Sequence, residues 1–274
     1  MRPGLPTLSR RHLLLGSAAG ALLAAGANVR ANTPPTLRWG YLSNYQPFSW
    51  VPRDAQTPQG FHVDLGTEIV RSMQVKADIR VGTYAEMLQA LRRKDIDVLG
   101  NFFTRVPDLV GDFAFSAGLQ EFRLMLAQHE DDDRTFLTLD EIPIERLGLM
   151  ANTTVEDQVQ AALGKGYRRF NRIDEALAAL AKGQLDAVIE ESLIVEYAIH
   201  AQKLPIKTTT PMSAPVRLGM LVLKGRTDLL EQLNRSLQSI RQDGSAAKVS
   251  EKWFGYDVTQ RRAAGTYINP LTPD

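Results

Sequence analysis

Two short stretches carry the side chains best suited to holding a small molecule. One is Asn101-Phe102-Phe103-Thr104-Arg105, which offers an amide, a hydroxyl, a guanidinium and two rings; the other is Glu190-Glu191-Ser192, which offers two carboxylates and a hydroxyl. Each follows an aliphatic run that reads as a buried strand, and in open α/β sheets ligands collect beyond the carboxyl ends of strands. The two stretches are therefore expected to face a shared cleft. Thr153-Thr154 is a third candidate. Hydroxyl and backbone N–H donors at a helix start make a ready anion or carboxylate site, and a capping role alone accounts for the same residues. Glu190-Glu191 has a similar alternative, as a solvated helix start, where carboxylates are favoured.

The elements that must position these residues come in two copies. Residues 88–109 read as a helix, a tight turn, a buried strand and a polar, aromatic loop; residues 177–189 repeat the Leu-x-Ala-Leu pair, the basic turn and the aliphatic-Asp step into a hydrophobic strand. Ahead of the first copy lie a strand over 37–42, a loop over 43–58 and an amphipathic helix over 61–73, with Phe61, Leu65, Ile69 and Met73 on one stripe. A short strand over 77–81 follows, Tyr84 opens the next helix, and residues 96–100 form the strand that it feeds. This order favours a parallel sheet covered on both faces. A second run follows: a strand over 147–150, a helix after Thr153 or Thr154, a weak strand over 167–170 and a helix over 192–201. Residues 216–223 read as one strand before two amphipathic helices, 228–242 and 245–253.

The chain has 274 residues, 44% of them hydrophobic, enough for a sizeable core and one or two domains. Lys plus Arg number 32 against 31 acidic residues, so no basic excess marks a nucleic-acid partner. The absence of cysteine excludes disulfides, thiolate metal sites and a lipid-modified cysteine; the four histidines, at 12, 62, 129 and 200, have no metal-ligand spacing. No metal and no cofactor are expected. Residues 1–31 combine a basic start, an Ala- and Gly-rich apolar stretch and small residues suited to cleavage after Ala27 or Ala31, which is a secretory signal. Ser9-Arg10-Arg11-His12-Leu13-Leu14 resembles the twin-arginine signal S-R-R-x-F-L-K, with Leu13 for Phe and Leu15 for Lys; an ordinary Sec signal is the alternative.

The order of motifs resembles family 3 of the bacterial periplasmic solute-binding proteins, the amino-acid-type substrate-binding components of ABC transporters. Tyr45-x-Pro47-Phe48 is similar to the family's Y-x-P-F loop, residues 60–65 to its G-F-D-V-D-L helix start, and Ile96-Asp97-Val98 to its strand opening. Thr104 and Pro107 fit its T-x-T-P-E-R loop, Phe115-Ser116 its F-S step, Thr153-Thr154 its G-T-T turn, and Asp243-Gly244 with Lys252-Trp253-Phe254-Gly255 its C-terminal pattern. The resemblance implies an α/β, two-lobed periplasmic-binding-protein fold of type II, each lobe a mostly parallel sheet flanked by helices, with two crossing hinge segments. Residues 32–121 and the return 218–255 would form the first lobe, 122–217 the second, and 256–274 a tail.

The same resemblance implies ligand contacts. Tyr45, Phe48 and Tyr84 occupy positions of aromatic walls; Asn101, Phe102 and Thr104 line the first lobe; Thr153, Thr154 and Glu191 come from the second, with Glu191 where the family places an Asp for the ligand's ammonium group. Glu190 is read as structural and Phe103 as core. The family's α-carboxylate clamp, an Arg, falls at Leu109, which cannot form the paired charged hydrogen bonds of a guanidinium. Arg105 is the nearest cation that could replace it. The expected protein is a soluble, monomeric periplasmic binder, without a lipid anchor, that delivers a small polar ligand, an amine or amino-acid-like molecule, to an ABC importer permease. A cyclohexadienyl dehydratase-like enzyme with Glu191 as general acid, or a binding partner of a membrane sensor, is the alternative.

Overall fold

A computed structural model describes residues 34–259. The expected signal, 1–31, and residues 260–274 of the expected tail lie outside the described residues. The chain begins with β1 (Thr36–Leu42), a short hairpin of β2 (Asn44–Tyr45) and β3 (Ser49–Trp50), α1 (Phe61–Met73), β4 (Lys76–Gly82), α2 (Tyr84–Arg92), β5 (Val98–Phe103), the single turn α3 (Pro107–Val110) and β6 (Phe113–Phe115). A crossing strand, β7 (Glu121–Phe122), leads to β8 (Leu124–His129), β9 (Leu147–Met150), α4 (Thr154–Leu163), β10 (Arg168–Phe170), α5 (Ile173–Ala181), β11 (Ala187–Glu191), α6 (Ser192–Gln202) and β12 (Ile206–Pro211). The return crossing, β13 (Val216–Arg217), precedes β14 (Gly219–Leu223), α7 (Thr227–Gln242) and α8 (Ser245–Phe254).

The two five-stranded sheets share one plan. Their orders are β4-β1-β5-β14-β6 and β10-β9-β11-β8-β12. In each, the first three strands pair in parallel and the fourth runs against both neighbours. The reversed strand is the one that enters directly after a crossing: β8 follows β7 and β14 follows β13. A chain arriving from the other sheet comes in at the end where the parallel strands finish, so it must run backwards. The expected single strand over 216–223 is thus two strands in different sheets, broken at Leu218. Gly118 permits the tight passage, because a Cβ there would lie 2.5 Å from the Leu218 carbonyl oxygen. The crossings themselves pair antiparallel, Phe122 opposite Val216 and Glu121 opposite Arg217, with the latter two ion-paired at 2.9 Å.

The sequence repeat becomes a repeated anchor. Asp97 receives the Arg38 guanidinium at 2.8 and 3.0 Å and Arg226 at 3.4 Å; its counterpart Asp186 receives Arg146 at 2.5 Å and Arg134 at 3.1 Å. Each aspartate's backbone N–H also donates to the carbonyl of its repeat-related arginine, Arg38 or Arg146. Burial opposes ionisation of both carboxyls, and the arginine contacts outweigh it, holding both below the usual range. The anchors fix the strands β5 and β11, whose far ends carry the candidate site. The turn before each aspartate needs a left-handed residue: Gly183 (φ 67°) in one copy, Lys94 (φ 63°) in the other. Lys94→Gly should stabilise the chain by about 0.5–1 kcal/mol, the left-handed penalty of a side chain exceeding the entropy that glycine loses on folding. Urea denaturation measures it, and a destabilised variant would refute the equivalence of the two turns.

Packing joins the halves at one further place. Leu193 of α6, 3% exposed, belongs to the same core cluster as Phe48, Phe61 and Phe254. Tyr197 of α6 lies beside Trp253 of α8 (centroids 6.1 Å) and receives a long hydrogen bond, 3.4 Å, from the Gln46 side chain. The start of α6, and with it Glu191, is therefore held against the first half.

Candidate functional site

A cavity of about 230 Å3 lies where both sheets and the crossings meet. The first half contributes Tyr45, Tyr84, Phe102, Phe103, Thr104, Val106 and Leu109, the crossings Phe122 and Leu218, and the second half Glu191. Five aromatic rings and one charged group thus form most of its wall. The ends of β5 and β11 reach it, as the two sequence stretches imply.

The wall carrying Tyr45 is set by a glycine. Gly60 (φ 139°) caps α1 and allows Phe61 and His62 to donate their backbone N–H groups to the Pro47 and Phe48 carbonyls, at 3.0 and 2.9 Å. The loop so pinned lays Tyr45 on Phe48 with ring centroids 4.8 Å apart. Phe48 in turn stacks on the buried His62 at 4.8 Å, and Phe102 meets the same imidazole, tilted, at 4.9 Å.

His62 and Asn101 form a buried polar pair beneath this wall. Asn101 Oδ1 accepts from the Leu42 backbone N–H at 2.9 Å, so its Nδ2 is the donor, to Ser49 Oγ at 2.8 Å and to His62 Nδ1 at 3.3 Å. With Nδ1 accepting, the imidazole proton sits on Nε2, and the Gln120 amide beside it, with a nitrogen 3.1 Å away and an unpartnered buried oxygen, must turn its oxygen to the ring to accept that proton. Burial pushes the His62 pKa down to about 3, against an opposing contribution from Gln120. The ring is therefore neutral at physiological pH.

Several expected ligand contacts are not brought to this cavity. Asn101 belongs to β5 rather than to a loop, is fully buried, and has its amide committed to the backbone, Ser49 and His62. Phe48, 2% exposed, is core behind Tyr45. Thr153 caps α4: its hydroxyl accepts from the Glu156 N–H at 3.1 Å and donates to the Met150 carbonyl at 2.9 Å. The helix start is already occupied by the Glu156 carboxylate, which accepts from the Asn152 N–H at 2.7 Å and is ion-paired to Arg169. Thr154 is exposed, and neither threonine lines the cavity.

Tyr45, Tyr84, Phe102, Thr104 and Glu191 do come together. Phe103, expected in the core, also lines the cavity and packs on Tyr84 with centroids 5.8 Å apart. Phe122 and Leu218 were not legible as site residues, because their place depends on the crossings. Leu109 is buried on α3 in the cluster of Leu42, Leu88 and Phe113. Arg105 does not stand in for the lost cation at this cavity. Its guanidinium lies over the Phe115 ring at 5.4 Å and lines a neighbouring cavity of about 600 Å3, on which Thr104 and Leu218 also border.

The acidic pair sits at the end of β11, half-buried. The Glu191 backbone N–H donates to the Glu190 carboxylate at 2.7 Å, which gives Glu190 a structural contact and leaves Glu191 to the cavity. Burial, and then the neighbouring Glu190, push the Glu191 pKa up to about 7; burial raises Glu190 as well. The Tyr45 hydroxyl is raised by burial and by the charges of Glu191 and Glu190, so it keeps its proton. The site can thus hold a cation or exchange a proton near neutrality. Among the described residues no cluster of His, Asp or Glu could hold a metal ion, and no helix is long and apolar enough to cross a membrane.

Comparison with known proteins agrees with this architecture. The profile of the bacterial extracellular solute-binding proteins, family 3, matches residues 37–256. The L-cystine-binding protein TcyJ of Escherichia coli (strain K12) is 25% identical over 260 residues, covering 91% of this chain and 97% of that one. The lysine/arginine/ornithine-binding periplasmic protein of the same organism is 26% identical over 250 residues, covering 86% and 94%. The L-cystine solute receptor of Neisseria gonorrhoeae, solved in an unliganded open conformation, shares the fold with a TM-score of 0.72 at 20% identity, covering 85% of this chain and 98% of that one.

Proposed function

Because this chain belongs to the bacterial extracellular solute-binding proteins, family 3, we propose that it captures a small polar solute, amino-acid-like or amine, in the periplasm and passes it to the permease of an ABC importer. The observation that carries this reading is the cavity walled jointly by β5, β11 and the crossings. Such a cavity closes or opens when two lobes turn about two thin connections, the hinge motion of solute binders. The lobes would be residues 32–121 with 218–255, and 122–217, turning at β7 and β13. Names of relatives that bind L-cystine or lysine, arginine and ornithine support a ligand with an amino group, and Glu191 is the group that would receive it. The absence of cysteine supports a protein without a lipid anchor, and a monomer suffices, since one chain supplies the whole wall.

Differential scanning fluorimetry against a panel of amino acids and amines tests the capture. At least one amino-bearing solute should raise the melting temperature by several degrees, since saturation at about a hundred times Kd adds about 2.7 kcal/mol. A panel in which only solutes without an amino group stabilise the protein would defeat the reading. Glu191→Gln should weaken binding of the active solute by about ten- to a hundredfold, the usual worth of a charge-assisted hydrogen bond; calorimetry on the variant decides it, and unchanged affinity would remove Glu191 from the site.

One observation favours a second reading. A carboxyl with a pKa near 7 in a semi-enclosed cleft is poised to act as a general acid, as a dehydratase on this fold would require. Turnover of prephenate, followed by absorbance, separates the two; a rate abolished by Glu191→Gln would establish the enzyme.

A further inference from the structure

Resting on the solute-binding reading, we infer that the cleft selects an amine without a carboxylate: a small organic monocation with an apolar body. The charge inventory of the cavity carries this. Among the described residues that line it, Glu191 is the one charged side chain, and the rest are aromatic, aliphatic or, at Thr104, a hydroxyl. Among the described residues, no cationic side chain lines it to compensate a ligand carboxylate. Arg105 is turned onto Phe115 and borders the neighbouring cavity, Leu109 on the wall offers no charge, and the start of α4 is filled by Glu156. At the α6 start, the N–H groups of Glu191 and Ser192 are engaged, donating to the Glu190 carboxylate and to the Arg123 carbonyl.

A ligand carboxylate in this space would have no cationic partner on the wall and would meet the like charge of Glu191, which Glu190 adjoins in sequence. An ammonium group would instead pair with Glu191 and face the rings of Tyr45, Tyr84 and Phe102, which attract cations over their faces. The volume, about 230 Å3, is at the small end for a ligand site and limits the body to a side chain of ordinary size. The Phe103, Phe122 and Leu218 surfaces are apolar and suit an alkyl or aryl body.

Matched pairs that differ by one carboxylate test the inference. Calorimetry at about pH 8, where Glu191 is mostly ionised, would compare 2-phenylethylamine with L-phenylalanine and isopentylamine with L-leucine. The amine of at least one pair should bind about thirtyfold or more tightly than its parent amino acid, the effect of leaving a buried charge unpaired. Glu191→Gln should weaken that amine by about tenfold or more and leave 2-phenylethanol, the neutral counterpart, within about threefold. An amino acid that binds as well as its amine overturns the inference while leaving solute capture intact. Failure of both members of both pairs overturns it as well; capture is then judged separately, by whether protein isolated from its own periplasm carries any solute.

Discussion

Between pH 7 and pH 5 the native chain should hold its stability while the Glu191→Gln variant falls behind it by about 2 kcal/mol. Two groups with opposite signs, the buried His62 and the half-buried Glu191, produce this. His62, with a folded-state pKa of about 3 against an ordinary value of 6.5, is neutral in the fold. Its contribution is fully present above pH 6.5 and is lost as the pH falls toward 3, because the unfolded chain takes up a proton that the folded chain refuses. Glu191, raised from 4.5 to about 7, works the other way. Its charge, half-buried beside Glu190, costs stability at neutral pH, and protonation relieves that cost as the pH falls from 7 to 4.5. Each slope approaches about 1.4 kcal/mol per pH unit, so the two offset each other in the native chain. Glutamine removes the relief and leaves His62 exposed; Glu190 remains in both proteins, so their difference isolates Glu191. Urea denaturation at stepped pH measures it, and parallel stability curves would show that Glu191 is not buried as described.

Gly60→Ala should destabilise the protein by about 3–5 kcal/mol and abolish solute binding. At φ 139° and ψ 169° the residue occupies backbone space that is essentially glycine's own. A Cβ there would lie 2.3 Å from the Phe48 carbonyl oxygen and 2.8 Å from the Ser49 nitrogen, both backbone atoms that cannot turn aside. Strain and overpacking each cost about 1–3 kcal/mol, and relief requires the loop that carries Tyr45 to move off α1. Gly111→Ala is the matched control, with negative φ and nothing within 4 Å of its Cβ, and should be near neutral. Chemical denaturation with a binding assay on both variants decides it; a Gly60→Ala protein that binds normally would detach the loop from the site.

The parts of the fold that were legible in the sequence are those with local causes. Helix α1 follows from its apolar stripe, and β9 from a short aliphatic run ahead of a threonine cap. The repeat around Asp97 and Asp186 is visible as spacing and reappears as two equivalent arginine anchors. What was misread depends on distant partners. Asn101 looks like a loop residue because an amide rarely sits inside a buried strand; it is tolerated because Leu42, Ser49 and His62, remote in sequence, satisfy it. The run 216–223 is apolar throughout, and nothing local reveals that it changes sheets at Leu218. Thr153 satisfies equally a cap and a ligand site, and only the position of Glu156 decides between them. The candidate site was therefore half legible: Glu191 and Phe102 came from the ends of recognisable strands, Tyr45 and Tyr84 from the family resemblance, and the crossing residues from topology alone.

One cavity, walled by both halves, holds a solute through Glu191 if the proposed function is right. Non-denaturing mass spectrometry of the protein isolated from its own periplasm tests this most directly. The native chain should carry one small amino-bearing solute, and the Glu191→Gln variant, prepared alongside, should come off empty or nearly so. A solute without an amino group, or equal occupancy in the two proteins, would contradict the account.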